Sequence, residues 1–333
     1  MLIAGAGLAG LVCAARLREL GRRPRVIEKG TRAGGSMLLS SCVIWRHLDF
    51  DVFRAECPGG DPALQRLIWE RLDDAVAWLE RQGAPVVARE TRNPLTVGTR
   101  FDPAGTVAAL ARDVQLDSPV TDRPDSRPLI LATGGFAASL PGVFHRCTPW
   151  STGDGLRLGL AAGGRESAGM DEVFGRALPA PPARIGEDDF VRLAQLYGRH
   201  ARITARDGAT WTAQTWSEND VTQFLARHGG GTFAVPRERL SEPTPYGTVE
   251  EAIRAAERSG GPVRWGEATV EVDVVAGVST TLGGLAVDAT ATVAPGVFAA
   301  GNDAGGWSTG GYASGLAAAL VLGLVAAEAI DTT

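Results

Sequence analysis

Lysine is almost missing from this chain: of 33 basic residues only Lys29 is a lysine. Positive charge is therefore arginine, a skew of the coding-bias kind that strips any single arginine of diagnostic weight. Net positive charge is lacking too, at −5 with a pI near 5.5, which argues against an electrostatic nucleic-acid binder. Cysteine is scarce. Cys13, Cys42, Cys57 and Cys147 include no C-x-x-C pair, so neither a zinc site nor a dithiol redox centre is indicated and no metal is expected. No basic-then-apolar leader precedes the first apolar stretch, so no secretory signal is visible. Leu316 to Ala327 is too short to span a bilayer and is interrupted by Gly323. The expectation is a soluble, cytoplasmic protein without a membrane span; Met1 stands almost at the first strand residue, which leaves open a start slightly upstream. There is no fixed-period repeat and no low-complexity tract.

What is abundant is glycine, 43 of 333 residues, so glycine motifs count only in context. Met1 to Ala4 is a short apolar strand leading into Gly5-x-Gly7-x-x-Gly10, and Leu11 to Leu20 reads as a helix ending at Gly21. Pro24 to Ile27 is a second strand with Glu28 at its end, roughly twenty residues on, where an acidic side chain accepts from a ribose. Gly5 can turn tightly, Gly7 lacks the Cβ that would hold a pyrophosphate away, and Gly10 lets helix and sheet approach. Free N–H groups then face phosphate at the positive end of the helix. The unit predicts a dinucleotide site.

Further along, Gly34-Gly35-Ser36 is a loop passing close to something, and Met37 to Trp45 is apolar with Ser40, Ser41 and Cys42 embedded. Helices are expected at Asp61 to Arg81, Phe101 to Arg112 (opened by Asp102-Pro103), Asp188 to Arg199, Ser217 to His228 and Thr248 to Arg258, with another opened by Thr152-Gly-Asp154-Gly155. Ile203 to Trp211 looks like a hairpin turning at Asp207-Gly208. Pro128 to Ala132 and Val297 to Ala300 read as strands, the latter meeting Gly301-Asn302 before a glycine-rich loop to Tyr312 and an apolar helix to about Ile330. Fewer close-approach glycines in the middle suggest an inserted domain.

Two glycine-rich approaches at opposite ends imply that both return to one cofactor. Gly5-Ala6-Gly-Leu-Ala-Gly10, Ile27-Glu-Lys-Gly30, Gly34-Gly-Ser36, Leu131-Ala-Thr-Gly-Gly-Phe136, Thr152-Gly-Asp-Gly155, Leu282-Gly-Gly-Leu285 and Gly296-Val-Phe-Ala-Ala-Gly-Asn302 together resemble the FAD-dependent oxidoreductases typified by fumarate reductase, succinate dehydrogenase flavoprotein and 3-ketosteroid dehydrogenase. The resemblance covers most of the two ends and only weakly the middle. It implies an α/β fold: a Rossmann-type FAD-binding domain over 1–177 and 279–333, and a smaller inserted α+β capping domain over 178–278. It assigns the AMP half of FAD to Gly5, Ala6, Gly7, Gly10, Glu28 and Lys29, with Val120 near the adenine. Gly34, Gly35 and Ser36, then Ser40 and Ser41, would follow the pyrophosphate toward the flavin. Ala132, Thr133 and Gly134 would cover the ribityl region with Asp154 bonding to it, and Gly301-Asn302 would meet a ribitol hydroxyl. Ser314, Gly315 and Leu316 would present the last helix's N-terminus to the flavin pyrimidine edge.

Departures from the family bear on chemistry. Ser279-Thr-Thr281 stands where the fumarate reductases have a histidine, and Thr309-Gly-Gly-Tyr312 where they have an arginine, so a dicarboxylate substrate is poorly supported. Ser36 to Ser41 has no histidine, which implies non-covalent FAD. Hydride transfer at carbon needs a proton donor or acceptor at the neighbouring carbon. Tyr312 is the best-placed candidate, with an aromatic lid as its alternative; Arg237 roughly aligns with the reductases' proton-donating arginine. Glu218 and Asp220 are expected to cap or complement a helix, His47 and His145 are within possible reach of a substrate, and Trp45, Trp150 and Trp307 line a pocket or fill the core. The favoured activity is dehydrogenation or reduction of a carbon–carbon bond in a mainly uncharged, enone- or ketone-like small molecule, with an unknown electron donor or acceptor. The alternatives are a flavin monooxygenase and a non-catalytic FAD-binding scaffold or partner subunit.

Overall fold

A computed structural model of the chain describes residues 1–91, 93–122, 128–211 and 218–332. It divides into two compact units. One comprises Met1–Ser139, Thr148–Glu172 and Thr280–Thr333; the other comprises Leu140–Cys147 and Val173–Ser279. The insertion expected over 178–278 falls within the second unit, which also takes in residues 140–147, 173–177 and 279, expected in the first.

The first unit is built on a six-stranded sheet. From Leu2–Ala4 it grows one way through Arg25–Ile27 and Val114–Gln115, and the other way through Leu129–Leu131 and Val297–Ala299, all in parallel. Thr292–Ala294 closes it antiparallel to Val297–Ala299. Parallel strands are covered on both faces, and Ile3, Val26, Ile130 and Val297 are accordingly fully buried. The order reverses between Leu2–Ala4 and Leu129–Leu131, so the crevice beyond their C-terminal ends is a topological switch point, where doubly wound sheets bind ligands.

The helix after the first strand spans Leu8–Glu19. Gly21 (φ +76°) ends it, with the amides of Gly21 and Arg22 donating to Arg18 O and Leu17 O. The last helix, Gly315–Asp331, packs along it. Gly323 makes that crossing close, since a Cβ there would come within 2.8 Å of Ala9 O. Pro62–Arg81 forms the long amphipathic helix expected, its first turn capped by Asp61, which accepts from Ala63 N and Leu64 N. A separate three-stranded antiparallel sheet carries Val43–His47, Thr96–Phe101 and Val86–Ala88. Phe101 is therefore the last residue of a strand, not the start of a helix; the helix is Pro103–Leu110, and Asp102 caps it by accepting from Gly105 N.

In the second unit, Thr210–Trp211, Arg202–Ala205, Gly231–Pro236, Thr269–Thr281 and Val263–Trp265 lie side by side, with Phe144–His145 and Val173–Pro179 also on Thr269–Thr281. The hairpin turns at Asp207-Gly208 as expected, with Gly208 at φ +89°. Residues 188–199 are not a helix. Short 3-10 turns at Glu187–Asp189 and Gly198–His200 bracket irregular chain, in which Phe190, Leu193, Ala194, Leu196 and Tyr197 are buried without a helix. The following helix is Asn219–Arg227; Ser217, expected to start it, lies outside the described residues. Glu218 does not cap it. Its backbone is left-handed (φ +57°) and its carboxylate instead accepts from Gly198 N at 2.6 Å. Burial raises the proton affinity of that carboxyl, with Gly198 N opposing. Val249–Arg258 carries a full capping box between Thr248 and Glu251.

Candidate functional site

The switch-point crevice is formed where Gly5, Gly34 and Gly134 turn. Gly5 (φ +104°) would place a Cβ 2.0 Å from Ala132 O, and Gly10 would place one 2.0 Å from Gly5 O, so both are required by packing. Gly7 differs: nothing lies within 4 Å of its absent side chain. It faces open space at the start of a helix that has no side-chain cap, which leaves its amides and dipole to a ligand. Gly34 pairs with Gly7, its N–H donating to Ala6 O at 2.8 Å, and Gly35 follows at φ +55°.

Glu28 is buried and accepts from Ala6 N at 2.7 Å and Gly30 N at 2.8 Å. It thus fixes the turn. Trp150 covers Gly30, leaving no room for a side chain there. Lys29 and Asp154 form an ion pair at 2.8 Å. The resemblance set them at different stretches of the cofactor, and the structure brings them together. Ser36 Oγ accepts from Thr148 N at 3.0 Å, and Ser40 Oγ bridges Met37 O and Cys42 N. Ser41 accepts from Arg100 through its carbonyl, and Val120 is buried.

Ala132 to Gly134 leave the strand with Gly134 and Gly135 left-handed (φ +94° and +73°). Beneath them lies Asp303, which the sequence reading passed over. Its carboxylate accepts from Thr133 N, from Thr133 Oγ1 at 3.0 Å and from Gly135 N at 3.1 Å. Burial pushes its pKa up to about 6, against those hydrogen bonds, and Asp154 adds repulsion. The signal was available, an acidic residue in an otherwise apolar, glycine-rich stretch directly after a strand. Ser151 was also passed over, and Thr281 was noted only within the stretch that replaces a family histidine. Their buried hydroxyls flank Gly134 and Gly135 and have no hydrogen-bond partner.

At the last helix, Ser314 is the N-cap and accepts from Ala317 N at 3.2 Å. Gly301 (φ +66°) presses against Ala9, Asn302 is half-buried with Oδ1 toward Gly315, and Leu316 is half-buried. Tyr312 is half-buried with its hydroxyl accepting from Gly315 N at 3.3 Å. Trp45 meets it edge-on at 6.0 Å. His47 is buried between Trp45 and Phe53, and burial lowers its pKa to about 4. Ser308 and Thr309, in the same loop, have buried hydroxyls without partners. Trp307 is core. In the other unit, Arg237 is exposed, its Nε donates to Gly266 O at 2.8 Å and its guanidinium stands 5.8 Å from the Trp265 ring. His145 is exposed and held to Leu140 O.

An open cradle at Gly7 and unpartnered hydroxyls at Ser151 and Thr281 fit a pyrophosphate joined to a polyhydroxylated chain. A family model described as an FAD binding domain matches residues 1–116 and 104–317. No curated protein sequence matches the chain. Among solved structures, the fold is shared with a 3-ketosteroid Δ1-dehydrogenase from Sterolibacterium denitrificans in complex with 1,4-androstadiene-3,17-dione (14% identity, 99% of each chain, TM-score 0.72). It is shared with a 3-ketosteroid-Δ4-(5α)-dehydrogenase from Rhodococcus jostii RHA1 in complex with 4-androstene-3,17-dione (17% identity, 100% of this chain and 96% of that one, TM-score 0.70). A flavocytochrome c3 fumarate reductase is similar as well (18% identity, 99% and 78%, TM-score 0.71). Among the described residues, no helix is long and apolar enough to cross a membrane.

Proposed function

The chain belongs to the FAD binding domain family, and on that premise we propose that it is an oxidoreductase that dehydrogenates, or in reverse reduces, a carbon–carbon bond in a mainly uncharged, ketone-like small molecule. Bound FAD supplies a hydride acceptor or donor at flavin N5. Ser36, Thr133, Ser151, Thr281 and Asn302 would hold the cofactor without a covalent bond, while Gly7 and the first helix's amides receive its pyrophosphate.

The observation that carries the reading is the setting of Tyr312. Its oxygen sits on the first N–H of the 17-residue last helix, where the positive end of the dipole faces an oxygen that must carry negative charge when it gives up a proton. A phenol there can take or give the proton at the carbon next to the one that exchanges hydride. The loop from Gly305 to Leu316 contains no charged residue, and His47 beside it is neutral at pH 7 by its lowered pKa. Such surroundings favour an uncharged substrate over a dicarboxylate. Uncharged steroid ketones in two proteins of the same fold support that choice. Arg237 is the weaker candidate for proton transfer, because its guanidinium is already engaged by Gly266 and Trp265.

Purified holoprotein mixed anaerobically with saturated ketones, enones including 3-ketosteroids, and dicarboxylates tests this. Saturated ketones should bleach the flavin, and enones should reoxidise the photoreduced protein. Response to fumarate or succinate alone would overturn the substrate class, and silence across the panel would overturn catalysis.

A further inference from the structure

Asp303 is an acidic side chain only 1% exposed, with no cation among its hydrogen-bond partners in the described residues. Its three acceptor contacts all go to one loop, through Thr133 N, Thr133 Oγ1 and Gly135 N. Thr133 Oγ1 in turn accepts from Gly155 N at 2.9 Å, and a Cβ on Gly155 would strike the Asp303 carboxylate at 2.3 Å. The carboxylate therefore ties three segments: the turn after Val297–Ala299, the loop after Leu129–Leu131, and the start of helix Asp154–Ala161. Burying a carboxylate is costly. What it does achieve is to hold Gly134 and Gly135 left-handed, between the unpartnered hydroxyls of Ser151 and Thr281.

The geometry points to Asp303 as a positioning residue for FAD: the ionised carboxylate shapes the Ala132–Gly135 loop into its cofactor-holding form, and protonation releases it. An ionised carboxylate only accepts, and it faces N–H and O–H donors. Once protonated, its O–H has one partner able to accept it, Thr133 Oγ1, and the bonds from Thr133 N and Gly135 N lose their charge assistance. Asp154 faces it from the neighbouring helix and favours protonation, while Lys29 offsets Asp154 through their ion pair. The resulting carboxyl, with a pKa near 6, would loosen the loop in mildly acidic solution. This role depends on where Ala132 to Gly134 lie along FAD, and not on the substrate or on Tyr312.

Asparagine mimics the protonated acid in shape and donor pattern. Deflavinated wild-type and Asp303→Asn proteins would be titrated with FAD by flavin fluorescence from pH 5 to 7, with circular dichroism confirming that each apoprotein is folded. At pH 7, Asp303→Asn should bind FAD about 10-fold more weakly, the loss of one charge-assisted bond. The wild type should weaken toward the variant's value as the pH falls through 6, while the variant stays flat. Thr133→Val, which removes the Thr133 Oγ1 bond to Asp303 and with it the bond from Gly155 N, should weaken binding by about 3-fold and serves if Asp303→Asn does not fold. Equal affinities of wild type and both variants at pH 7, or the same pH slope in wild type and Asp303→Asn, would overturn the assignment.

Discussion

Around Gly5 to Glu28 the protein has answered the polar groups that shape the turn, leaving the first helix's N-terminal amides open: Glu28 holds the Ala6 and Gly30 amides, Gly34 N–H holds Ala6 O, and Lys29 holds Asp154. Around the loop before the last helix it has not. The hydroxyls of Ser308 and Thr309 are buried without partners, as are those of Ser151 and Thr281 beside Gly134 and Gly135. Each unpartnered buried polar atom costs about 1–3 kcal/mol, so the protein tolerates at one end a cost that it avoids at the other. The first end is shaped by backbone geometry that any dinucleotide would meet. On the function proposed above, the second is shaped for chemistry, with hydroxyls left for a ligand.

The largest expected effect separates packing glycines from ligand-facing ones at the first end. Gly10→Val would drive a branched side chain into Gly5 O and should cost roughly 4 kcal/mol or more, leaving little folded protein. At Gly7 an added Cβ meets no neighbour within 4 Å; Gly7→Ala should leave the apoprotein's urea midpoint nearly unchanged yet greatly weaken FAD binding. Equal losses of apoprotein stability in the two variants would break the distinction.

Next in size is Tyr312→Phe at the second end. Losing the hydroxyl removes the contact with Gly315 N but keeps the ring against Trp45. Turnover should fall about 10²–10⁴-fold, the usual share of a general acid or base, while the yellow colour and FAD affinity persist. Stopped-flow flavin reduction measures it, and a rate within 3-fold or so of wild type would leave Tyr312 as an aromatic lid only.

The same contrast decides what could be read from the sequence. Gly5, Gly10 and Glu28 are legible because one spacing rule sets strand, turn, helix and acid together. Leu2–Ala4 and Arg25–Ile27 follow from it, as does the capped helix Pro62–Arg81 from its period. Thr269–Thr281 was legible and passed over, since Val270, Val272, Val274 and Ala276 alternate with polar or half-buried neighbours in the pattern of a strand. Asp303 could be suspected only as an acid in an apolar stretch. Its partners Thr133 and Gly135 lie about 170 residues away in sequence, and no local rule pairs them. Residues 188–199 misled because apolar residues three and four apart can be buried by turns as well as by a helix.

The smallest effect concerns His47, which the second end buries against Phe53 at 5.4 Å and Trp45 at 5.2 Å. Neither ring nitrogen makes a hydrogen bond of good geometry, and the Tyr312 backbone only partly offsets the effect of burial, which brings the pKa from 6.5 to about 4. The unfolded chain therefore takes up this proton first. Its contribution to stability is complete above pH 6.5 and is lost as pH falls toward 4. Asp303 acts with the opposite sign, because its raised pKa makes the folded state take up a proton first as pH falls through 6. His47→Phe keeps an aromatic ring in place and removes the titration. Urea midpoints at pH 7 and pH 5 should then converge relative to wild type, with the midpoint at pH 7 unchanged or slightly higher because two unserved nitrogens are gone. If the full acid-side loss persists in His47→Phe, the buried imidazole is not what weakens this end of the site in acid.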